Sequence, residues 1–170
     1  MELAATRIAV DLRAPTVAID RRIYGHFLEE IGRMVSGGLF PEKGSTAPLM
    51  REVGYRQDVW EACRDLSPVL LRWPGGCFAD VYRWRDGVGV HRERSYPNRF
   101  WGHRFGPAWG PAVHNELGTD EFLGLCRDWD CEPYFCANAG TGDAEEAAAW
   151  VEYVNRHATG HDPSLPRCRL

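Results

Sequence analysis

Apolar residues recur along this chain with two different periods, and the switches between them mark its elements. Ile8, Val10 and Leu12 alternate with Arg7, Asp11 and Arg13, and Val17 and Ile19 continue the pattern past Pro15. A period of two predicts a half-buried strand, or a hairpin over the first eighteen residues. Residues 23–32, IYGHFLEEIG, begin as a second apolar strand and end in two adjacent carboxylates, Glu29 and Glu30. Between Tyr55 and Ser67 the spacing of Val59, Ala62, Cys63 and Leu66 predicts a helix, which Pro68 stops before the buried run Val69-Leu70-Leu71. Thr119 reads as an N-cap, with Asp120 and Glu121 in the first turn and a stripe of Phe122, Leu125, Cys126 and Trp129 behind it. PYFCANAG, residues 133–140, gives another strand. Asp143 and Glu146 then form a capping-box pattern for a last helix with Ala147, Trp150, Val151 and Val154 on its buried face.

From residue 23 onward the order is strand, helix, strand, helix, strand, helix, which predicts an α/β fold with a parallel sheet and crossover helices. A doubly wound sheet usually carries a glycine-rich phosphate turn after its first strand, but here that strand ends in HFLEEIGR and no GxGxxG follows. A TIM barrel places its chemistry at the carboxyl ends of its strands, and these ends read GHFLEE, RWPGGCF and ANAGTG. The barrel is therefore the preferred architecture. Residues 85–118 are too long for a passive connection, and their Trp and Tyr content favours a functional loop.

Charge narrows the partners. With 20 basic and 24 acidic residues the formal charge is −4, and Lys and Arg are not concentrated on any helix face, so neither nucleic acid nor an anionic membrane is an expected partner. Residues 1–20 lack the apolar core of a signal peptide and no apolar run is long enough to span a bilayer, so a cytoplasmic location is expected. The six cysteines form no CxxC pair and sit mostly among apolar neighbours; they are expected to be free thiols. The seven Trp, six Tyr and seven Phe serve either core packing or stacking against the C–H face of a sugar ring.

The densest chemistry is at RWPGGCFAD, residues 72–80. Pro74 fixes φ, while Gly75 and Gly76 leave main-chain N–H groups uncovered for a ligand oxygen, so that together with Cys77 they can line a small polar floor. A plain strand-end turn containing a buried Arg–carboxylate pair accounts for the same residues. Arg72, if it points inward, needs an acidic partner, and Glu29 at the end of the neighbouring strand is the obvious one. Such a pair suits Glu29 to accept sugar hydroxyls and not to act as a neutral acid. Glu30 reads as its solvated neighbour. Asn138 and the GTG of residues 140–142 offer an amide and an open loop, which a capped helix start explains equally.

Taken together, IYGHFLEEIGR, GGLF, GYRQDVWEA, LLRWPGGCFADVYRWRDGVG, AW followed by NELGTDEF, NAGTG and AAAWVEYVN resemble the α-L-arabinofuranosidases of glycoside hydrolase family 51, in order and spacing, from Ile23 to Asn155. The resemblance implies a retaining glycosidase with a (β/α)8 barrel and a β-sandwich, releasing non-reducing-end L-arabinofuranose from arabinan, arabinoxylan or smaller saccharides. It assigns Glu29 and Cys77 to the arabinose hydroxyls, the second at a position where the family often has Asn. With them Arg72, Gly76, Trp109 and Asn138 complete the candidate substrate-binding set. No cofactor or metal is implied, and a homo-oligomer, commonly a hexamer, is the family's expected assembly.

The implied organisation is an amino-terminal sandwich segment over residues 1–20, the first three β/α units of the barrel over 21–155, and a divergent tail over 156–170. A retaining enzyme needs two carboxyls ~5–5.5 Å apart. In the family both lie at later strand ends, so no catalytic residue is assigned here, and Asn115-Glu116, which precedes GTDEF, is rejected as the acid/base. The tail, RHATGHDPSLPRCRL, loses the resemblance and reads as a truncated or frame-shifted end; His157 and His161 stand beside Gly160 and Pro163 and do not suggest a helical metal site. The chain alone is thus expected to be an inactive part of a glycosidase. A non-catalytic carbohydrate-binding or subunit-interaction module, and an enzyme of other chemistry on a doubly wound sheet, are the competing readings.

Overall fold

The computed structural model describes residues 6–13, 16–50, 54–89, 96–106, 108–110 and 112–159. Its frame is a three-stranded parallel sheet of β1 (His26–Phe27), β2 (Leu70–Trp73) and β3 (Glu132–Phe135), in that order. Between the strands run α1 (Gln57–Asp65), α2 (Trp101–Phe105) and α3 (Thr119–Asp128), and α4 (Ala144–Thr159) follows β3. Among the described residues no helix is long and apolar enough to cross a membrane.

The parallel alternation expected from the sequence is present, but the first strand is much shorter than the run 23–32. Arg21–Tyr24 form a 3₁₀ turn capped by Asp20, whose carboxylate accepts the Arg22 N–H at 2.9 Å, and only His26 and Phe27 pair with β2. One further hydrogen bond, Leu28 N–H to the Arg72 carbonyl at 2.8 Å, carries the chain to the strand end and delivers Glu29 beside β2. Residues 6–13 and 16–20 form no strand, and Ile8, Val10 and Leu12 are exposed, so their alternation has no sheet to join among the described residues. Residues 160–170, with His161, Pro163 and Cys168, lie outside the described residues, as do residues 1–5.

Strand β2 divides the two sides of the sheet by its pleat. Leu71 and Trp73 are buried, while Arg72 faces the other way in register with Phe27 on β1 and Tyr134 on β3. Phe27 and Tyr134 remain largely exposed, so this row is the uncovered side. The covered side is organised by Trp73, which stacks on Phe122 of α3 at 5.1 Å and meets Trp150 of α4, Phe135 and Tyr82 edge-on. Such ring pairs contribute ~0.5–1.5 kcal/mol each beyond their burial, so this tryptophan ties both helices to the strand that carries the RWPGG turn.

Helix α3 buries all four residues of its expected stripe, Phe122, Leu125, Cys126 and Trp129. Its cap differs: Gly118, not Thr119, precedes the helix, and Glu121 Oε2 accepts the Gly118 N–H at 3.0 Å. Thr119 is enclosed and its hydroxyl instead accepts the Trp150 indole N–H at 3.0 Å, while a Cβ at Gly118 would lie 1.9 Å from the Gly87 carbonyl oxygen. Close approach of two backbones therefore selects glycine at the cap. In α4, Trp150 and Val154 are buried as expected but Val151 is exposed; Tyr153 takes the flank, packing on Trp84 at 5.1 Å and donating to the Asp120 carboxylate at 3.0 Å. Helix α1 turns Val59, Trp60 and Cys63 to the core and leaves Ala62 and Leu66 in solvent.

Candidate functional site

Glu29 emerges at the end of β1 and is 4 % exposed. Its Oε1 accepts two hydrogen bonds, from the Phe78 main-chain N–H at 2.8 Å and from the Trp101 indole N–H at 2.9 Å. Among the described residues its Oε2 has no hydrogen-bond partner. The turn after β2 is shaped around this carboxylate. The Trp73–Pro74 peptide is cis, and Gly75 has φ +135°, a conformation that side chains rarely adopt. A Cβ at Gly75 would meet Glu29 Cγ at 2.4 Å, so glycine there is demanded twice over, by backbone angle and by contact.

Gly76 is where the candidate residues converge. A Cβ placed on it would be 3.4 Å from both Arg72 Nη2 and Glu29 Oε2, so the guanidinium and the unpartnered carboxylate oxygen reach the same small space above this glycine. The expected Glu29–Arg72 ion pair does not form among the described residues. Glu29 draws on two uncharged N–H donors instead, and Arg72 lies over the Phe27 ring at 5.2 Å from its centroid, with a buried Nε that meets no acceptor. Strand geometry explains the difference. Glu29 is two residues beyond the Phe27–Arg72 pairing, and the Gly75–Phe78 segment turns back to occupy its Oε1 first.

Cys77 opens the 3₁₀ turn Cys77–Val81 and is exposed, next to the residue that donates to Glu29. Cys136, one residue beyond β3, donates its N–H to the Trp73 carbonyl at 2.9 Å. Burial pushes its thiol pKa up, the Arg72 charge draws it down and the Glu29 carboxylate adds to the rise, which sets it within electrostatic reach of both. Glu29, Arg72, Gly76 and Cys77 are thus gathered at two adjacent strand ends.

Trp109 and Asn138 are not drawn in by the same contacts. Trp109 is 55 % exposed; its carbonyl holds the Gly32 N–H at 2.7 Å, and its ring lies 6.4 Å from that of Phe105. Asn138 is committed to its own loop. Its Oδ1 accepts the Thr141 and Gly142 N–H groups at 2.9 and 3.0 Å, and its Nδ2 donates to the Tyr82 carbonyl at 3.0 Å. Two more bonds fasten this loop to the β2 turn: Thr141 Oγ1 donates to the Asp80 carbonyl at 2.8 Å, and Arg83 Nη2 donates to the Thr141 carbonyl at 2.6 Å. Arg83 also pairs with Glu146, and Asp143 caps α4 by accepting the Glu146 N–H at 2.7 Å.

Glu30 departs furthest from expectation. It is 7 % exposed, not solvated, and accepts the Ser36 hydroxyl at 3.2 Å. Burial pushes its carboxyl pKa up to about 7, with the nearby Glu116 charge adding to the rise and Ser36 opposing it. Glu116, half-buried, is raised by burial and drawn down by His114. With Ser36, Gly37, Pro41, Glu42, Lys43 and His114 it lines a cleft of about 400 Å³, to which none of the strand-end residues contributes. Trp101, which the aromatic content of the 85–118 loop signalled only collectively, is the tryptophan that touches Glu29.

Comparison with known proteins gives this geometry its context. Residues 62–163 match the family model described as the alpha-L-arabinofuranosidase 1 domain. An intracellular exo-alpha-L-arabinofuranosidase of Bacteroides ovatus is 46 % identical over 137 residues, which are 80 % of this chain and 25 % of that protein. A probable alpha-L-arabinofuranosidase C of Aspergillus terreus is 43 % identical over 81 % of this chain and 25 % of its own length. The chain thus spans about a quarter of the curated relatives it matches. Among solved structures, the family 51 arabinofuranosidase of Xanthomonas axonopodis pv. citri superposes with a TM-score of 0.72 at 33 % identity, covering 88 % of this chain and 29 % of that one. The alpha-L-arabinofuranosidase of Thermotoga maritima in its arabinose complex gives 0.66 at 39 % identity over 81 % of this chain and 27 % of that one. With more than half its length inside the family model and a parallel sheet that superposes on these enzymes, the chain belongs to the α-L-arabinofuranosidases of glycoside hydrolase family 51.

Proposed function

We propose that the space above Gly76 holds a terminal α-L-arabinofuranosyl residue, with Glu29 Oε2 accepting from its hydroxyls and Arg72, Cys77 and the uncovered N–H groups of the turn completing the floor. The observation that carries this reading is the asymmetry of Glu29, whose Oε1 is doubly hydrogen-bonded while Oε2 is left without a partner at a strand end, next to an exposed thiol and a guanidinium. A carboxylate oxygen so placed suits a sugar hydroxyl, because charged acceptors form the stronger class of hydrogen bond. Trp109 and Asn138 then act at the rim, the first through its exposed ring and the second by shaping the third strand's loop.

On this reading residues 21–155 form three β/α units of a (β/α)8 barrel, with Phe27, Arg72 and Tyr134 on its interior face and the site at the carboxyl ends of the strands, where barrel enzymes keep their chemistry. Residues 1–20 supply a strand to a β-sandwich. The whole protein's reaction is the retaining hydrolysis of non-reducing arabinofuranosyl groups in arabinan- or arabinoxylan-type saccharides, and these 170 residues contribute binding, not the cleaving carboxyl pair. L-Arabinose is expected to quench the tryptophan fluorescence of the full chain saturably, and Glu29→Gln to weaken binding by about 10- to 100-fold, the worth of a hydrogen bond to a charged group. The chain alone is expected to release no 4-nitrophenol from 4-nitrophenyl α-L-arabinofuranoside above buffer. Equal affinity in the wild type and Glu29→Gln sinks the binding assignment; turnover that vanishes in Glu29→Ala sinks the division of labour.

A further inference from the structure

We infer that Asn98 is the positioning residue that sets the Trp101 indole on Glu29, and so decides which carboxylate oxygen is left for the sugar; the inference rests on reading Glu29 as the sugar-binding carboxylate. Asn98 lies in the long aromatic loop and is 2 % exposed. Its Nδ2 donates to the Glu30 carbonyl at 2.8 Å, while its Oδ1 accepts the Phe100 N–H at 3.2 Å and the Trp101 N–H at 2.8 Å. Its own carbonyl accepts the His103 N–H at 3.2 Å. One amide therefore joins the backbone beside Glu29 to the first turn of α2. The orientation of the amide follows from its partners, because a flipped group would set its NH₂ against two N–H donors and its oxygen against a carbonyl.

The link to the site is short. Trp101 stands three residues after Asn98, and its indole donates to Glu29 Oε1 at 2.9 Å. Helix α2 has five residues, too few to persist without tertiary support, so its start must be fixed from outside. Ring packing of Trp101 on Phe100 and Phe105, at 5.0 and 5.5 Å, sets the tilt of the indole but offers no tie to the strand end. Asn98 supplies that tie. Without it the indole N–H leaves Oε1, the Phe78 N–H is the remaining donor, and the carboxylate is free to turn and share that donor between its oxygens.

Two readouts test this on the full chain. In ¹H–¹⁵N spectra the Trp101 indole resonance, identified by its absence in Trp101→Phe, is expected to shift and to exchange at least about tenfold faster in Asn98→Ala, the loss of one hydrogen bond to a charged acceptor, while the indole resonances of the other six tryptophans stay in place. Asn98→Asp keeps the acceptor for the two N–H groups but removes the donor to the Glu30 carbonyl, and is expected to place that resonance between the wild-type and Asn98→Ala positions. In L-arabinose titrations Asn98→Ala and Trp101→Phe should each weaken binding about tenfold, and the double variant should be no weaker than either, because the two act through one contact. A Trp101 resonance unmoved by Asn98→Ala, or two losses that multiply in the double variant, overturns the inference. Should Asn98→Ala unfold, Asn98→Asp decides by the same resonance: an indole left unmoved when the donor to the Glu30 carbonyl is removed refutes the positioning role. If the wild type binds no arabinose, the sugar-site reading fails, while the indole resonance still settles whether Asn98 holds Trp101.

Discussion

Glu30 gives a stability experiment whose sign and size both follow from its surroundings. A carboxyl moved from 4.5 to about 7 by burial costs the folded state, at 1.36 kcal/mol for each factor of ten, about 3 kcal/mol when it is fully ionised. Below pH 4.5 the group is protonated in both states and costs nothing. Between 4.5 and 7 the unfolded chain releases a proton that the folded chain retains, so stability falls as pH rises, and above about 7 the penalty levels off. Glu30→Gln removes the titration while keeping an acceptor for the Ser36 hydroxyl, and it leaves the Glu30 carbonyl free to receive Asn98 as before. The Glu116 charge, which adds to the rise in the Glu30 pKa, is present in both proteins. Urea denaturation of the full chain, followed by tryptophan fluorescence from pH 4.5 to 9, should show the two proteins equally stable at the acid end. The variant should be more stable by about 3 kcal/mol at pH 8, a rise of roughly 6–12 °C in melting temperature for a chain of this size. Parallel pH profiles would refute the reasoning, because they would mean that Glu30 ionises in the folded state as readily as in the unfolded one.

The glycine pair of the turn separates backbone strain from floor space. Gly75→Ala combines a disfavoured φ with a 2.4 Å contact against Glu29 Cγ, and is expected to lower stability by at least ~2 kcal/mol and abolish arabinose binding together. Gly76→Ala meets Arg72 Nη2 and Glu29 Oε2 at an ordinary 3.4 Å, so denaturation should be nearly unchanged while arabinose affinity falls; the reverse ranking would show that the floor is misassigned. Iodoacetamide at pH 8, read by peptide mass mapping, should label exposed Cys77 ahead of buried Cys126 and ahead of Cys63 and Cys136, whose thiols burial pushes up. Arabinose should slow that labelling if Cys77 borders the pocket.

Periodicity made α1, α3, α4 and the second strand legible, because α3 and β2 pack by one regular face each, with all four residues of the α3 stripe buried and Leu71 and Trp73 pointing together into the core, but it missed the five-residue α2 within the 85–118 loop. It overextended β1, since an apolar run cannot show that Arg21–Tyr24 wind into a 3₁₀ turn around the Asp20 carboxylate. It placed the α3 cap one residue late, because the Thr119 hydroxyl serves Trp150, a partner 31 residues away. The strand-end residues Glu29, Arg72, Gly76 and Cys77 could be marked from composition at a strand terminus, where backbone donors and charges are otherwise hard to explain. Their pairing could not. Whether Arg72 or two N–H groups reach the Glu29 carboxylate depends on how the Gly75–Phe78 turn folds back, and Glu30 reads as solvated only until Ser36 and the Asn98 loop close over it. Trp101 and Trp109 are equivalent as letters in an aromatic loop; the cap two residues before Phe100 is what separates them.

The bonds joining Asp80 and Arg83 to Thr141, and Asn138 to Tyr82, bear on how such enzymes diversify. Loops that follow the strands of a parallel sheet are commonly regarded as interchangeable parts, each graftable on its own. Here the segments after the second and third strands share their hydrogen bonds, so replacing one strands the acceptors and donors of the other. A loop transplant into this scaffold should move both segments as a single cassette, and recombination between relatives is expected to be best tolerated at crossover points outside residues 74–146.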